Sequence, residues 1–544
     1  MELIYLWVKE YKNIRKQGFN FSGRYRCEYD DVKNELRINE NIDFERVVLD
    51  SVNVHAVVGE NGSGKSSIFE HANNHYVNER KILIYSISDK LILLAFFGKN
   101  IICDFIQTNQ KYKLENIGCN QQALDNIKNK TIFLTNNYGK NIHPESLTSI
   151  CIRIDENEVL QFAINLLKNS EIKIPFNTPN DLYLGLHGVG RVLVDFRGNI
   201  DHYIRKYGIK NNFIDDVLFY EESQEYSIKL LKFYLTAVSI NINNRDLGNA
   251  YHWIVGECNL RHPGTIDELV TIYSEYVSTF SNGAEILSRI ENFVGQIEKY
   301  FVFENSFTLR ADIKNIPNDF IENYISITTN RQSPLRETYQ ILEFSFPNDF
   351  SSGEGQFLYL FAQIYHYMHE KKILFIDEVE LYYHPNWQRK YNYYLIEFLS
   401  KNFPNQRFNV YLATHSPFVL SDIPSQNIVF LKNNAQISKK LNTFGANIHT
   451  LLSDAFFMED GLMGEYAKSK INKAIELLNK QGKLNRSSMK YCEEIISIIG
   501  EPILKKQLQR MLDSKRLSKI DEIDMLKAQM SEIQQKIKKL EGGK

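Results

Sequence analysis

The 544-residue sequence lacks the long apolar runs, the paired cysteines and the one-sided charge that would identify several protein classes. No apolar run approaches the roughly 20 residues that a membrane helix needs, and the first residues do not form a secretory signal. The six cysteines are scattered without a C-x-x-C pair, which argues against disulfides and against a zinc site. The formal net charge of −2 gives no overall attraction to nucleic acid. We therefore expect a cytoplasmic protein with reduced thiols and no membrane-embedded part.

The remaining composition is that of a folded, multi-domain chain. Hydrophobic residues make up 43% and charged residues 24% of the sequence, which is ordinary for a globular protein. The length corresponds to two to four domains.

A glycine-rich loop follows a short apolar run at 53–58. The loop has the pattern G-x-x-x-x-G-K-[ST], and we predict a helix from about Ser66. In such a loop the backbone N–H groups and the positive end of the helix hold the phosphates, while Lys65 reaches the β and γ oxygens. Ser66 is the predicted Mg²⁺ ligand, and Ser67 can bond a phosphate. We therefore expect ATP and Mg²⁺ as cofactors, held by Gly59, Asn61, Gly62, Ser63, Gly64, Lys65, Ser66 and Ser67.

Two carboxylates follow a second apolar run, at 373–376. The run predicts a buried strand, and parallel sheets place ligands at the carboxyl ends of their strands. Asp377 is predicted to hold Mg²⁺ together with Ser66. Glu378 is predicted to orient or deprotonate the attacking water. Together with the glycine loop, this pair predicts ATP hydrolysis.

The pattern of apolar residues predicts a mixed α/β protein. Strand-like runs at 372–376 and 408–413 are separated by a helix-length segment, which indicates a largely parallel sheet. The region from about 155 to 300 reads as mainly helical, and the tail beyond about 445 also looks helical. Further strands are predicted at 2–8, 82–86, 91–97, 100–105, 131–135, 322–328 and 340–346.

Three shorter motifs complete the pattern. Ser351, Ser352, Gly353 and Glu354 precede a helix-like segment, and composition alone makes them a loop with a serine N-cap. His415 lies in the sequence Thr-His-Ser-Pro directly after the strand at 408–413. Lys12 follows the first predicted strand, where a solvated lysine is an equally good interpretation.

These motifs, in this order, resemble those of ABC-type ATPases of the RecF, SMC, Rad50 and OLD group. The resemblance covers roughly 1–140 and 335–455. It implies an ABC-ATPase-like P-loop head with a parallel central sheet, antiparallel N-terminal strands, a helical insertion and a helical C-terminal tail. It also implies that Ser351–Glu354 of one copy closes over the γ-phosphate held by a second copy. His415 would contact that phosphate and align the water, and Lys12 would approach the nucleotide phosphates.

The resemblance and the patterns together suggest four regions. Residues 1–140 carry the N-terminal part of the head with the glycine loop, and 141–335 form the mainly helical insertion. Residues 336–450 carry the signature, the acidic strand and the histidine. Residues 451–544 form a helical region that ends in a short coiled coil, and this coil could dock a second copy or a partner helix. A glutamine-loop residue is not identified; Thr135 and the two residues after it are a weak candidate.

The tail segments at 443–471 and 498–512 resemble those of the PtuA-like ATPase of Septu and retron-associated anti-phage defence systems. That similarity implies a homodimer or a higher homo-oligomer formed through the ATPase heads, with a separate HNH-type nuclease subunit. Further partners could include a reverse transcriptase and its RNA/DNA product. A nuclease activity of the chain itself is not expected, because the metal-binding carboxylate pattern of OLD nucleases is missing after His415. The alternative is a RecF-like DNA-repair clamp that binds DNA directly.

Overall fold

The computed structural model describes most of the chain in two compact units, Met1–Phe457 and Met458–Lys544. The described residues are 1–41, 51–73, 80–87, 90–97, 100–101, 107–108, 115–116, 127, 129–135, 156–168, 172–185, 224–243, 247–305, 308–328, 342–346, 350–439, 441–456, 463–482, 484–516 and 519–541. The predicted strand at 100–105 therefore appears only as Asn100–Ile101, and its remainder lies outside these residues.

The strands in the described residues belong to four sheets. In chain order they are β1 Glu2–Tyr11, β2 Ile14–Asn20, β3 Tyr25–Asp30, β4 Glu35–Glu40, β5 Val52–Gly59, β6 Lys81–Ile87, β7 Lys90–Phe97, β8 Asn100–Ile101, β9 Gln107–Thr108, β10 Glu115–Asn116, β11 Thr131–Thr135, β12 Asp181–Gly185, β13 Val302–Asn305, β14 Thr308–Asp312, β15 Glu343–Ser345, β16 Ile373–Asp377, β17 Phe408–Ala413, β18 Ile428–Lys432 and β19 Ala435–Ile437.

The helices of the first unit are Lys65–Asn73, Glu156–Lys168, Gln224–Asn243, Leu247–Arg261, Ile266–Val277, Gly283–Tyr300, Phe320–Thr328, Ser352–Tyr367, Pro385–Gln388, Tyr391–Asn402, Pro417–Leu420 and Ile448–Thr450. Those of the second unit are Glu465–Asn479, Arg486–Ile498, Pro502–Arg516 and Lys519–Glu541. Among the described residues, we find no helix that is both long enough and apolar enough to cross a bilayer.

The central sheet has the strand order β11-β16-β17-β5-β18-β19. Its first five strands run parallel, and β19 returns antiparallel after a two-residue turn. Asn433 and Asn434 both have positive φ in this turn, a conformation that asparagine tolerates. All residues of β16 and β17 are buried, as expected for strands covered on both faces. The predicted parallel sheet is confirmed.

A mainly antiparallel sheet, in which only β10 pairs parallel with its neighbour β7, packs beside the central one. It has the order β10-β7-β6-β1-β2, in which β1 pairs antiparallel with both β2 and β6. Leu3, Leu6 and Val8 of β1 share one apolar cluster with the helix Lys65–Asn73 and with β16 and β17. The predicted antiparallel N-terminal strands are therefore confirmed, and they help to fix the helix that follows the glycine loop.

The described residues between 156 and 328 are mainly helical, and three strands among them join β15 in a small sheet. Strands β13, β14, β12 and β15 form a four-stranded sheet that packs with the surrounding helices around one apolar core. The predicted strand at 322–328 is wrong, because this segment belongs to the helix Phe320–Thr328. Its buried residues Phe320, Ile321, Tyr324 and Ile327 recur at helical spacing. A short apolar run alone does not distinguish a buried helix from a strand.

The second unit has its own core. Helices Glu465–Asn479, Arg486–Ile498 and Pro502–Arg516 bury residues such as Ala474, Cys492 and Leu508 against one another. The terminal helix Lys519–Glu541 instead exposes apolar side chains along its length. The predicted helical tail is confirmed.

Candidate functional site

The register of three parallel strands brings the predicted motifs to one edge of the central sheet. Asp377 of β16 lies beside Ala413 of β17, and Ala413 lies beside Val57 of β5. The acidic pair, the histidine segment and the glycine loop follow these strands, so all three leave the sheet at the same edge. In α/β sheets, ligands bind at the carboxyl ends of the strands. Tertiary structure therefore joins motifs that lie more than three hundred residues apart in the chain.

The glycine loop between β5 and the helix Lys65–Asn73 needs glycine at specific positions. Gly59 packs so closely that a Cβ atom there would lie 2.6 Å from Ser63 Oγ and 2.7 Å from the carbonyl oxygen of Leu431. Gly62 and Gly64 have φ of 77° and 95°, a left-handed conformation that favours glycine. The loop is thus shaped to turn its backbone N–H groups toward a bound anion at the start of the helix.

Lys65 lies buried in the middle of this site. Its Nζ donates hydrogen bonds to the carbonyl oxygens of Gly59 and Glu60, at 3.1 and 3.0 Å. Burial lowers the pKa of Lys65, whereas the nearby carboxylates of Asp377, Glu380 and Glu378 act in the opposite direction. The lysine therefore lies within electrostatic reach of these three carboxylates, which are found at the end of β16 and just after it.

Ser66 and Asp377 form a pair of oxygen ligands suited to a magnesium ion. The Ser66 hydroxyl lies close enough to the Asp377 carboxylate to favour its ionised form, although the two come from different motifs. Burial raises the pKa of Asp377 to about 6; the Ser66 hydroxyl and the charge on Lys65 lower it, and Glu378 and Glu70 raise it. One hydroxyl and one carboxylate are hard oxygen donors of the kind that Mg²⁺ prefers. The predicted ligand pair therefore fits Mg²⁺ in chemistry and in placement.

Glu378 leaves the sheet in an unusual backbone conformation. Its φ is 55°, and its N–H donates to the carbonyl oxygen of Ala413 at 3.1 Å. A non-glycine residue in the left-handed region costs on the order of 1 kcal/mol or more, and such residues cluster at functional sites. The half-buried side chain therefore starts from a backbone that is anchored to the neighbouring strand.

His415 lies in the segment directly after β17, which we name the histidine switch (residues 414–417). Burial by surrounding atoms and the charge of Lys65 lower the pKa of His415 to about 4. The imidazole is therefore neutral at pH 7 while its residue keeps contact with solvent. A neutral imidazole can donate one hydrogen bond and accept another.

Glu380 belongs to the site, but the sequence analysis did not identify it as a site residue. Its Oε2 accepts a hydrogen bond from Thr414 Oγ1 at 2.7 Å, and its Oε1 accepts one from the backbone N–H of His415. Burial raises the pKa of Glu380 above its usual range. The available signal was its position in the polar turn after β16, but its partners lie 34 and 35 residues away in sequence.

The signature segment, residues 351–356, begins the helix Ser352–Tyr367. Ser351 is the N-cap, and it forms a reciprocal capping box with Glu354. Ser351 and Ser352 are exposed, whereas Gly353 is buried against the turn after β16. A Cβ atom at Gly353 would lie 2.8 Å from the carbonyl oxygen of Tyr382. The segment thus contacts that turn, and its serines face away from the core of their own subunit.

Two residues after β1 contact the glycine loop and its helix. Lys12 forms an ion pair with Glu70 of the helix Lys65–Asn73. Asn13 was not identified from the sequence, yet its Nδ2 donates to the carbonyl oxygen of Gly62 at 2.5 Å and its Oδ1 accepts from Ser67 Oγ at 3.4 Å. Lys12 therefore contacts the helix after the glycine loop through its ion pair with Glu70. Asn13 contacts the loop itself through Gly62. Residues 136–137, the weak glutamine-loop candidates, lie outside the described residues.

Comparison with known proteins agrees with an ATPase. Residues 273–421 match the family described as "AAA domain, putative AbiEii toxin, Type IV TA system". The chain is 24% identical over 471 residues to the retron Vc95 probable ATPase of Vibrio cholerae serotype O1 biovar El Tor. That alignment covers 79% of each of the two chains. The chain is also 39% identical over 84 residues to the retron Ec83 probable ATPase of Escherichia coli. This shorter alignment covers 15% of this chain and 14% of the Escherichia coli protein.

A solved structure described as the recombination mediator protein RecF-ATPrS in the RecFOR pathway is 12% identical to the chain. The alignment covers 80% of this chain and 98% of that one, and its TM-score of 0.22 is too low to support a conclusion.

Proposed function

We propose that this chain, which carries an AAA-family ATPase domain and is homologous to retron-associated probable ATPases, is the ATP-hydrolysing subunit of a bacterial anti-phage defence complex. The observation that carries the proposal is the meeting of Lys65 and Ser66 with Asp377, Glu378 and His415 at one sheet edge.

Each residue of this group has a distinct task in the proposed reaction. The glycine loop and Lys65 bind the β- and γ-phosphates. Ser66 and Asp377 would hold Mg²⁺, which would supply positive charge to balance that of the phosphates. Glu378 orients or deprotonates the attacking water, and the neutral imidazole of His415 contacts the γ-phosphate and aligns that water.

The site is proposed to be half of a composite site. Ser351 and Ser352 are exposed at the start of a helix, whose free N–H groups and positive end can bind an anion from a second copy. Two copies arranged head to tail would then enclose two nucleotides, each between the glycine loop of one copy and the signature segment of the other. Nucleotide binding would control this dimer.

The terminal helix Lys519–Glu541 supplies a second contact between copies. Its exposed apolar residues, spaced alternately three and four apart, are Ile523, Leu526, Met530, Ile533 and Ile537. That spacing is a coiled-coil seam, and a second copy of the chain presents the same seam. About three heptads associate weakly alone, so this contact would act together with the heads through a raised effective concentration.

The dimer is proposed to gate a separate effector nuclease of HNH type. The retron names of the homologues support this setting, in which a reverse transcriptase and its RNA/DNA product are the further partners. Purifying the chain with the products of the adjacent reading frames would test it. Nuclease activity that depends on ATP and is altered by Glu378→Gln supports the gating, while ATP-dependent DNA binding by the chain alone favours a repair clamp instead.

Mixing two inactive variants tests the composite site. Lys65→Ala removes the nucleotide-binding half of a site, and Ser351→Arg blocks the signature half. A mixed dimer has one intact site, because the first variant supplies the signature segment and the second supplies everything else. We therefore expect each variant alone to be inactive and an equimolar mixture to recover ATP hydrolysis at a substantial fraction of the wild-type rate.

A mixture of Lys65→Ala and Glu378→Gln is the matched control. Both changes damage the same half of the site, so no dimer of these two copies contains an intact site. Recovery in the first mixture alone supports the proposal. If wild-type protein hydrolyses ATP but neither mixture recovers hydrolysis, the composite site is contradicted. If wild-type protein binds ATP without hydrolysing it, the enzymatic function itself is contradicted.

A further inference from the structure

The turn after β16, residues 378–388, is tied to the histidine switch by two side chains. We call this segment the acidic turn. Near its beginning, both carboxylate oxygens of Glu380 accept hydrogen bonds from the switch, one from Thr414 Oγ1 at 2.7 Å and one from the N–H of His415. These two bonds fix the backbone from which the imidazole of His415 projects.

Gln388 makes the second tie, at the other end of the acidic turn. Its Oε1 accepts a hydrogen bond from Ser416 Oγ at 2.7 Å, and its Nε2 donates to the carbonyl oxygen of Tyr383 at 2.8 Å. The switch is therefore held at three consecutive residues, Thr414 to Ser416, by side chains of one short segment. Neither tie involves a residue of the glycine loop.

The backbone of the acidic turn is strained on both sides of Glu380. Glu378 and Tyr382 have φ of 55° and 67°, and neither is glycine. Such a conformation is unfavourable for a residue with a side chain and persists only where surrounding contacts hold it. The bonds from Glu380 to the switch are contacts of this kind. The strain and the hydrogen bonds thus belong to one local arrangement, which includes the proposed catalytic Glu378.

Using a buried carboxylate as the acceptor of these bonds requires a charge to lose its hydration. Burying a charge costs free energy unless hydrogen bonds compensate for it, and a neutral amide of the same shape would cost less. A glutamine, however, offers one acceptor oxygen and would turn its NH₂ group toward a second donor. The carboxylate accepts from the Thr414 hydroxyl and from the N–H of His415 with separate oxygens. Thr414 Oγ1 in turn accepts from the N–H of Ser416 at 2.9 Å, which matches its role as the donor to Glu380. The residue type therefore suits a side chain that holds Thr414 and His415 together.

We propose that Glu380 is a positioning residue that fixes His415 against the γ-phosphate of bound ATP. The inference rests on the proposed function, because it assigns Glu380 a part in the same reaction. Glu380 acts through the backbone of the switch, and it touches neither the nucleotide nor the water in this assignment.

A double-mutant cycle between Glu380 and His415 tests the assignment. Glu380→Gln should lower kcat by roughly 10- to 100-fold, since a displacement of about 1 Å in a catalytic group can cost that much. KM for ATP should change little, because Lys65 and the glycine loop are untouched. In a His415→Ala background, Glu380→Gln should lower kcat no further. Glu397→Gln is the control: this half-buried glutamate pairs with Lys401 on the helix Tyr391–Asn402, and its change should leave kcat unaltered.

Two results would overturn the proposal. One is an equal loss of kcat from Glu380→Gln with and without His415, which would indicate a general structural role. The other is a rise in KM with kcat unchanged.

If wild-type protein binds ATP but does not hydrolyse it, the proposed function fails separately. The imidazole resonance of His415, assigned by its loss in His415→Ala, then tests Glu380. A shift in Glu380→Gln but not in Glu397→Gln supports the positioning role, and an unmoved resonance refutes it.

Discussion

The hydroxyl of Ser66 lies beside the carboxylate of Asp377 and acts to lower its pKa, and this contact links the glycine loop to a strand two places away in the central sheet. The carboxylate is buried beside Glu378, and burial raises its pKa to about 6 from 3.8. The buried position that suits Asp377 to Mg²⁺ therefore disfavours its ionised carboxylate when no cation is bound.

Replacing Asp377 by Asn should stabilise the metal-free protein while abolishing ATP hydrolysis. A folded-state pKa above the unfolded value means that the ionised carboxylate opposes folding. The variant should therefore gain on the order of 3 kcal/mol at pH 7. The gain should be full above about pH 6 and should shrink as the pH falls toward 3.8. Calorimetric melting without Mg²⁺ across this range measures it.

Ser66→Ala gives the opposing control, because it removes a hydroxyl that favours the ionised form of Asp377. It should also abolish hydrolysis, but it should not raise the melting temperature at pH 7. An Asp377→Asn protein that melts below wild type at pH 7 would contradict this electrostatic reading of the site.

Replacing Asn13 by Ala should weaken ATP binding by about fivefold. The lost hydrogen bond to the carbonyl oxygen of Gly62 leaves the loop less fixed, and such a bond is worth about 1 kcal/mol. Titration with a fluorescent ATP analogue measures the change. Asn434→Gly removes the 2.8 Å bond between Asn13 and Asn434 and keeps a residue that tolerates the positive φ of this turn, so its effect should be smaller. Equal losses in both variants would place the effect in the β18–β19 turn instead.

Two glycines at the start of one helix should respond differently to alanine. A Cβ atom at Gly353 would lie 2.8 Å from the carbonyl oxygen of Tyr382 and 3.4 Å from Trp387 Cζ3, whereas one at Gly355 would meet nothing within 4 Å. Gly353→Ala should therefore destabilise the protein by roughly 1–3 kcal/mol. Gly355→Ala should be neutral or stabilising, because alanine favours helix. Chemical denaturation compares the two, and equal stabilities would refute the close packing of Gly353 on the acidic turn.

A charge on the seam of the terminal helix should weaken self-association. Ile533→Lys places a lysine among exposed apolar residues that a second copy would cover, whereas Gln535→Lys adds the same charge off the seam. Sedimentation equilibrium should show weaker dimers for Ile533→Lys and wild-type behaviour for Gln535→Lys. Unchanged association in both variants would remove the terminal helix from the proposed interface.

Local patterns predicted the parts of the site that depend on local geometry. The glycine loop is recognisable because its turns need Gly62 and Gly64 at positive φ. The acidic strand is recognisable because four apolar residues precede Asp377. The order of these motifs also indicated a parallel sheet, and the carboxyl ends of β5, β16 and β17 do lie in register.

Other features depend on contacts between distant residues, which no local pattern records. Asn13 reaches Gly62 across 49 residues, and Glu380 reaches Thr414 across 34. The segment 322–328 looked like a strand because its apolar run is short, but packing in the insertion core makes it part of the helix Phe320–Thr328. In each case a long-range contact selected one of several conformations that the local sequence allows.

The sequence by itself determined the glycine loop, the acidic strand end and the α/β architecture, since each follows from glycine conformations and apolar periodicity over a few residues. Only the tertiary structure decided that Ser66 lies beside Asp377 and that Glu380 holds the histidine switch. The physical reason is that strand order and register determine which loop ends meet at a sheet edge, and burial there determines which of the carboxylates have a raised pKa.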